Sequence, residues 1–368
     1  MSYYTIGPFT KLAREEIPQL VELSPNHFAC AFSCMKLIPA RCILDAAEQA
    51  GSLRRGGLIV ESTSGSFGLA LAILGAQRGY RVIIVGDAAI DAQLERRLVN
   101  LGAVVERISQ PAHSDEGPQK LRVRRVQELL REHPGAFWPR QYQNPDNARG
   151  YVVLANILRT RLAKIDYLVG TVGTGGSMCG SAAALRPYIP NLRVVGVDTH
   201  HSVLFGHPSG TRLLRGLGNS LVPDNLDHEQ FDEVHWVTAA EAYAATHALH
   251  RRHGLFMGGT SGAAYLVGRW LAGRAPNQVV VTIMPDEGHR YVDTVYNPQW
   301  VEGLPDWDPH GRKEPVYVSY PTEVMDRWSR FAWGRRSLED VTERRSHEPR
   351  VGRPLSAGRH AEASNPAA

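Results

Sequence analysis

Lysine is scarce in this chain. It occupies only positions 11, 36, 120, 164 and 313, and arginine supplies the rest of the 41 basic residues. Net charge is scarce as well, at a formal +4 over 368 residues. The arginine-rich stretches RVRRVQELLR and GRRSLEDVTERR are interleaved with acids and read as solvated helix faces. Without a sustained basic stripe, no nucleic-acid partner is expected. Long apolar runs are also missing, since none approaches the roughly 18 to 20 residues of a membrane span, so no membrane association is expected. The opening MSYYTIGPFTKLAREE has no basic region followed by an apolar core, which predicts no signal peptide and a cytoplasmic location. Cysteine occurs four times, at 30, 34, 42 and 179, three of them in one apolar segment, as reduced and buried thiols would be. His27 with Cys30 and Cys34 has no second ligand pair beside it, so no metal is expected. No internal repeat is visible.

What the chain does have is alternation. Val/Ile-rich runs at 57–62, 81–86, 103–108, 165–172, 193–199 and 278–285 read as strands, separated by helical runs such as FGLALAILGAQRG and AAEAYAATHALHRRHG. Such βα units predict an α/β protein with mostly parallel sheets covered by helices on both faces. The turn-rich HPGAFWPRQYQNPDNARG (133–150) divides two groups of units. The expected organisation is a larger lobe of residues 1–36 and 136–310 and a smaller, mobile lobe of residues 37–135. An extension (311–340) and a disordered tail (341–368) complete the chain. The aromatic stretch WSRFAWGRRSLED (328–340) reads as a helix, covering its own domain or docking a partner.

Three glycine-rich loops follow strands and open helices: ESTSGSFG (61–68), VGTVGTGGSMCG (169–180) and GGTSGAA (258–264). The second is not a dinucleotide loop, because Met178 stands where a third glycine is required. It is not a P-loop either, because Gly176 and Ser177 follow Gly175 instead of Lys-Ser/Thr. This argues against a nucleotide-dependent oxidoreductase. What survives is a nest of backbone N–H groups, with the Thr174 and Ser177 hydroxyls beside it, able to hold one phosphate. Neither Ser66 nor Ser261 sits in a Gly-x-Ser-x-Gly frame, so neither is an esterase nucleophile. The first loop suits a carboxylate or a phosphate, and the third, taken alone, is equally a capped turn.

Lys36 then stands out. It lies in CAFSCMKLIPARC among Phe32, Cys34, Met35, Leu37, Ile38 and Pro39. An ammonium there snorkels to water, is paired, loses its proton, or is consumed in a covalent bond. A lone lysine, a phosphate cradle and a carboxylate loop are together what pyridoxal phosphate and an amino-acid substrate require.

These motifs, in this order, resemble the cysteine synthase family of pyridoxal-phosphate enzymes, the fold type II or tryptophan-synthase β-like group. Thr63-Ser64-Gly65-Ser66-Phe67-Gly68 is similar to the family's Thr-Ser-Gly-Asn-Thr-Gly. Gly173-Thr174-Gly175-Gly176-Ser177 is similar to Gly-Thr-Gly-Gly-Thr, and Gly258-Gly259-Thr260-Ser261-Gly262-Ala263-Ala264 to Gly-Ile-Ser-Ser-Gly-Ala-Ala. Gln141-Tyr142-Gln143-Asn144-Pro145 matches Gln-Phe-x-Asn-Pro, and a helix from Lys36 toward Gly51 completes the set. Several stretches, among them VDTHHSVLFG and MPDEGHRYVDTVYNPQW, resemble the siderophore and antibiotic 2,3-diaminopropionate synthases, which make N-(2-amino-2-carboxyethyl)-L-glutamate from O-phosphoserine and glutamate. The chain departs from the family around Lys36, where the usual Gly/Ser and Asp/Arg neighbours are absent. It also carries Ser66 and Phe67 where relatives have Asn and Thr.

The resemblance implies two lobes, each with a mostly parallel twisted sheet flanked by helices, in a homodimer. It implies that Lys36 forms the Schiff base with pyridoxal 5'-phosphate and acts as the base on the substrate α-carbon. Gly173, Thr174, Gly175, Gly176 and Ser177 would hold the cofactor phosphate, Thr260 its ring nitrogen and Ser66 its 3'-oxygen. Thr63, Ser64, Gly65 and Gln141 would bind the substrate, with Phe67 either walling the second-substrate site or packing at the helix start. The implied reaction is β-replacement on O-phosphoserine or O-acetylserine by way of an aminoacrylate, with an amino-acid amine as nucleophile. Alternatives are cysteine synthesis from sulfide or a thiol, a β-lyase, and an altered homologue serving as a binding protein.

Overall fold

The computed structural model of the chain describes residues 16–108 and 118–343. The N-terminal stretch read for a leader therefore lies outside the described residues up to Arg14 and Glu15, and so does the expected tail from residue 344 onward.

The chain opens with a hairpin, β1 (Gln19–Ser24) and β2 (His27–Ala31), followed by α1 (Leu37–Gln49). Three βα units come next: β3 (Leu58–Ser62) with α2 (Ser66–Arg78), β4 (Arg81–Gly86) with α3 (Ala92–Asn100), and β5 (Val104–Arg107) with α4 (Pro118–Glu132). These strands form a separate parallel sheet in the order β3-β4-β5. Helices α5 (Asp146–Gly150) and α6 (Val152–Arg161) lead into β6 (Tyr167–Thr171), α7 (Gly176–Leu185) and β7 (Arg193–Thr199). Then come β8 (Glu233–Val237), α8 (Ala239–His253), α9 (Gly259–Arg274), β9 (Val280–Met284) and α10 (Pro298–Glu302). The described residues close with β10 (Val316–Tyr317), β11 (Ser329–Phe331) and α11 (Leu338–Thr342). The larger sheet runs β1-β2-β9-β6-β7-β8-β11-β10, parallel except where β1 meets β2 and where β11 meets β8.

In its inner strands β6 to β9 both faces of the large sheet are dry, which explains their unbroken Val/Ile runs. Leu168 and Val194 point into one core cluster, and their neighbours Val169 and Val195 into the other. Local signals set the helix ends. Asp91 caps α3 by accepting from Leu94 N at 2.8 Å, and Thr238 and Glu241 form a reciprocal capping box on α8. α2 stops at Gly79, whose φ of +75° a side chain would resist.

The C-terminal aromatic stretch is not the expected helix. Residues 329–331 are a strand antiparallel to β8, and only 338–342 are helical. Trp328 and Trp333 are fully buried, and the Trp328 indole donates to His235 Nδ1 at 3.0 Å. The stretch thus covers its own domain as the strand between β8 and the edge strand β10, and its aromatics offer nothing to a partner. The alternation Ser329-in, Phe331-in has the period of a strand, which composition alone hides.

Candidate active site

The chain leaves β2 alongside β9, with Phe32 N donating to Met284 O and Met35 N to Pro285 O, both at 2.9 Å. This delivers Lys36 to the N-cap position of α1, in helical geometry, with no side-chain cap. Phe32, Cys34, Met35, Leu37 and Ile38 around it are all buried. Lys36 itself is partly buried, and among the described residues no carboxylate lies within ion-pair reach. Loss of hydration pushes its ammonium down from the usual lysine range to about 8. An amine that is half neutral near pH 8 can attack a carbonyl and accept a proton.

The loop after β3 faces a cluster of charges. Ser64 Oγ donates to Asp87 Oδ1 at 2.8 Å and accepts from Arg122 Nη1 at 2.6 Å, while Arg290 Nη2 donates to the Ser64 carbonyl at 3.0 Å. Arg122 also pairs with Asp87 at 3.2 Å. Thr63 Oγ1 accepts from Gly65 N at 3.3 Å, and the Ser66 carbonyl lies 3.8 Å from Cys34 Sγ, which ties the loop to the Lys36 segment. Phe67 is 2% exposed, at the start of α2, and belongs to the same buried cluster as Leu37, Ile59 and Ile84.

The loop after β6 turns at Gly175 (φ +82°) into α7. Among the described residues, the backbone N–H groups of Thr174, Gly175, Gly176, Ser177 and Met178 find no acceptor; the first helical bond is Cys179 N to Gly175 O. These unpaired donors at the positive end of a ten-residue helix form a cradle for an anion. Glycine is required there. A Cβ on Gly175 would come within 2.6 Å of Leu226 Cα, and one on Gly176 within 2.3 Å of Asn147 Oδ1. Gly173 is backed by Gly216 O.

The third loop opens α9. Thr260 is buried, with its Oγ1 3.5 Å from Asp286 Oδ1, and Gly216 is the residue that leaves room for its methyl. Burial raises the Asp286 carboxyl, which also accepts from Tyr291 OH at 2.7 Å. Gln141 is buried. Its side-chain amide donates to Ser62 O and its backbone N–H to Glu61 Oε2, both at 3.3 Å, so it fastens onto the strand that feeds the first loop.

Sequence reasoning missed several residues here. Arg122 belongs to a stretch read as a solvated helix face, yet it is 8% exposed and turned onto Ser64. Arg125, three residues on, fits that reading, with Glu106, Glu128 and Glu132 around it at the surface. Glu61, Asp87, Asn147 and Asp286 carried no local signal beyond proximity to the motifs. A cleft of about 1140 Å³ is walled by Phe32, Cys34, Leu94, Phe256, Asp286 and Arg290, without Lys36 or the cradle.

A family model described as pyridoxal-phosphate dependent enzyme matches residues 31–286, the span that holds Lys36 and all three loops. This chain belongs to that family. It is 38% identical over 266 residues to N-(2-amino-2-carboxyethyl)-L-glutamate synthase of Ralstonia nicotianae, covering 72% of this chain and 78% of the relative. It is 36% identical over 269 residues to the protein of the same name from Cupriavidus metallidurans, covering 72% and 79%. A solved structure of O-acetyl serine sulfhydrylase isoform 3 from Entamoeba histolytica superposes with a TM-score of 0.70 at 28% identity, covering 80% of this chain and 91% of that one. The two-sheet architecture is accordingly fold type II, and the chain is a pyridoxal-phosphate dependent enzyme. Its residues fit that group, with an unpaired nest of N–H donors for the phosphate and a partly buried amine free of any described carboxylate.

Proposed function

We propose that this enzyme catalyses β-replacement on an activated L-serine, O-phosphoserine or O-acetylserine, with an amino-acid amine such as glutamate as the incoming nucleophile. The observation that carries the reading is the combination on one chain of the unpaired Lys36 amine and the donor-only cradle of residues 174–178. The resemblance of 36–38% to two N-(2-amino-2-carboxyethyl)-L-glutamate synthases supports the choice of amine. A role in siderophore- or antibiotic-type 2,3-diaminopropionate metabolism belongs to the same reading.

The pyridoxal phosphate, when bound, would supply an electron sink for the pair left when the substrate Cα–H bond breaks. Lys36 would hold it, and its amine would take the proton from the substrate α-carbon, a task that its lowered pKa suits. Residues 173–177 would hold the phosphate, Thr260 the ring nitrogen and Ser66 the 3'-oxygen. Thr63, Ser64, Gly65 and Gln141 hold the substrate carboxylate. Arg122, buried against Ser64 and paired with Asp87, would offer guanidinium donors to an anionic leaving group.

Residues 37–135 act as a lobe that moves over the site. The Arg290–Asp91 pair at 2.5 Å and the Gln93–Asp293 bond at 2.9 Å are contacts that such movement remakes. The enzyme works as a homodimer in the cytoplasm, where its free cysteines stay reduced.

The test supplies purified enzyme with O-phosphoserine or O-acetylserine and with glutamate, other amines, or sulfide, and identifies products by mass. Formation of the glutamate adduct is expected. Turnover with sulfide alone would replace the proposal with cysteine synthesis, and pyruvate without a nucleophile would replace it with a β-lyase.

A further inference from the structure

Asn147 is fully buried at the N-terminal turn of α5, and its side chain touches both the substrate-binding and phosphate-binding segments. Its Nδ2 lies 2.5 Å from Gln141 O and 3.3 Å from Thr174 Oγ1. The first contact fixes which way the amide faces. A carbonyl oxygen only accepts, so the atom beside Gln141 O must be the nitrogen. The second contact then fixes the threonine. With Asn147 donating to Thr174 Oγ1, the single hydroxyl proton points elsewhere, and among the described residues no acceptor receives it. Beside that hydroxyl lie the unpaired N–H groups of residues 174–178. Asn147 Oδ1 is buried without a partner and occupies the space that a Cβ on Gly176 would need.

We infer that Asn147 is a positioning residue, which turns the Thr174 hydroxyl proton into the cradle and ties the cradle to Gln141. Thr174 is thereby a dedicated donor to a phosphate, and the Gln141 carbonyl, which also accepts from Asn225 Nδ2 at 3.0 Å, is the fixed point for that arrangement. A free hydroxyl in water rotates among partners; this one is set before the anion arrives, and the cost of ordering it is met on folding. The inference rests on the reading of residues 173–177 as the cofactor-phosphate site.

The test titrates the full-length chain, freed of cofactor, with pyridoxal phosphate and with pyridoxal, read by absorbance, while thermal melts report folding. Asn147→Ala and Thr174→Ala should each weaken pyridoxal phosphate binding by roughly tenfold, the size of one charge-assisted hydrogen bond, and leave pyridoxal unchanged. The double variant should bind as Thr174→Ala does, because Asn147 acts through that hydroxyl. Thr174→Ser should restore both the affinity and its dependence on Asn147. If Asn147→Ala does not fold, Asn147→Leu replaces it, keeping the volume and removing the donor without adding charge. Additive losses, or equal losses for pyridoxal, would make Asn147 a general structural residue and overturn the inference. A wild-type protein that binds pyridoxal as tightly as its phosphate would overturn the cradle reading itself.

Discussion

His200 and His207 give the chain a specific acid sensitivity. Their rings stack at 5.5 Å between centroids, and His207 stacks in turn on Trp236 at 4.8 Å. Each Nε2 donates to a backbone carbonyl of the C-terminal extension, His200 to Arg327 O at 3.0 Å and His207 to Pro321 O at 2.7 Å. A neutral ring that donates from Nε2 keeps Nδ1 as its bare acceptor, and both Nδ1 atoms are buried without partners. Protonating either would place a charge where nothing solvates it. Burial accordingly depresses both imidazoles from 6.5 to about 4, with His201 pushing the same way and the two backbone carbonyls opposing. Asp326 also opposes the shift at His200.

Between pH 6.5 and 4 the unfolded chain therefore binds these protons and the folded chain does not. Stability rises with pH across that window and is lost as pH falls through it. Holding one imidazole at about 4 instead of 6.5 corresponds to about 3 kcal/mol, and neighbouring rings make the pair worth less than twice that. Other groups titrate in the same range: burial raises Glu61 and Asp198 to about 7, which opposes the trend. The wild-type profile alone is thus not diagnostic. The informative quantity is the stability difference between wild type and the His200→Gln/His207→Gln variant, in which the glutamine amide replaces the Nε2 donor. Urea unfolding from pH 7.5 to 4.5 should show this difference shrinking or reversing on acidification by about 2–4 kcal/mol. A difference constant across that range would refute the argument.

Lys36→Ala should abolish the absorbance of covalently bound cofactor and cut turnover by roughly 10²–10⁴-fold, as expected for a lost proton-transfer group; a variant that kept both would remove Lys36 from the mechanism. Arg122→Gln should raise KM for O-phosphoserine by about tenfold or more and leave O-acetylserine less affected; equal effects on the two would confine Arg122 to holding Ser64 and Asp87. Phe67→Ala empties a site buried among Leu37, Ile59 and Ile84 and should cost about 3–5 kcal/mol in chemical unfolding. The ratio of products from competing nucleophiles should not change in that variant, and a changed ratio would restore Phe67 to the substrate wall.

The motifs were legible because backbone chemistry writes them locally. A strand, a glycine turn and a helix start demand particular residues within a few positions, as at Gly175, where φ is +82° and Leu226 presses from behind. What surrounds the motifs was not legible. Arg122 and Arg125 stand in the same arginine-rich helix, and only Asp87 and Ser64, more than thirty residues away, decide that one is buried and the other solvated. The extension from 311 carries too few regular residues to announce its strand. It becomes one because β8 offers an open edge and because the Trp328 indole finds His235.

By itself, the sequence determined the βα alternation, the three anion-ready loops and the one lysine set in apolar surroundings. Those are properties of short segments and of side-chain chemistry. Only the tertiary structure decided that Lys36 has no carboxylate partner among the described residues and that Phe67 belongs to the core. It also decided that Asn147 joins Gln141 to Thr174. Each of these depends on which distant group desolvates or satisfies an atom, and burial and hydrogen-bond geometry are set by packing between segments far apart in the chain.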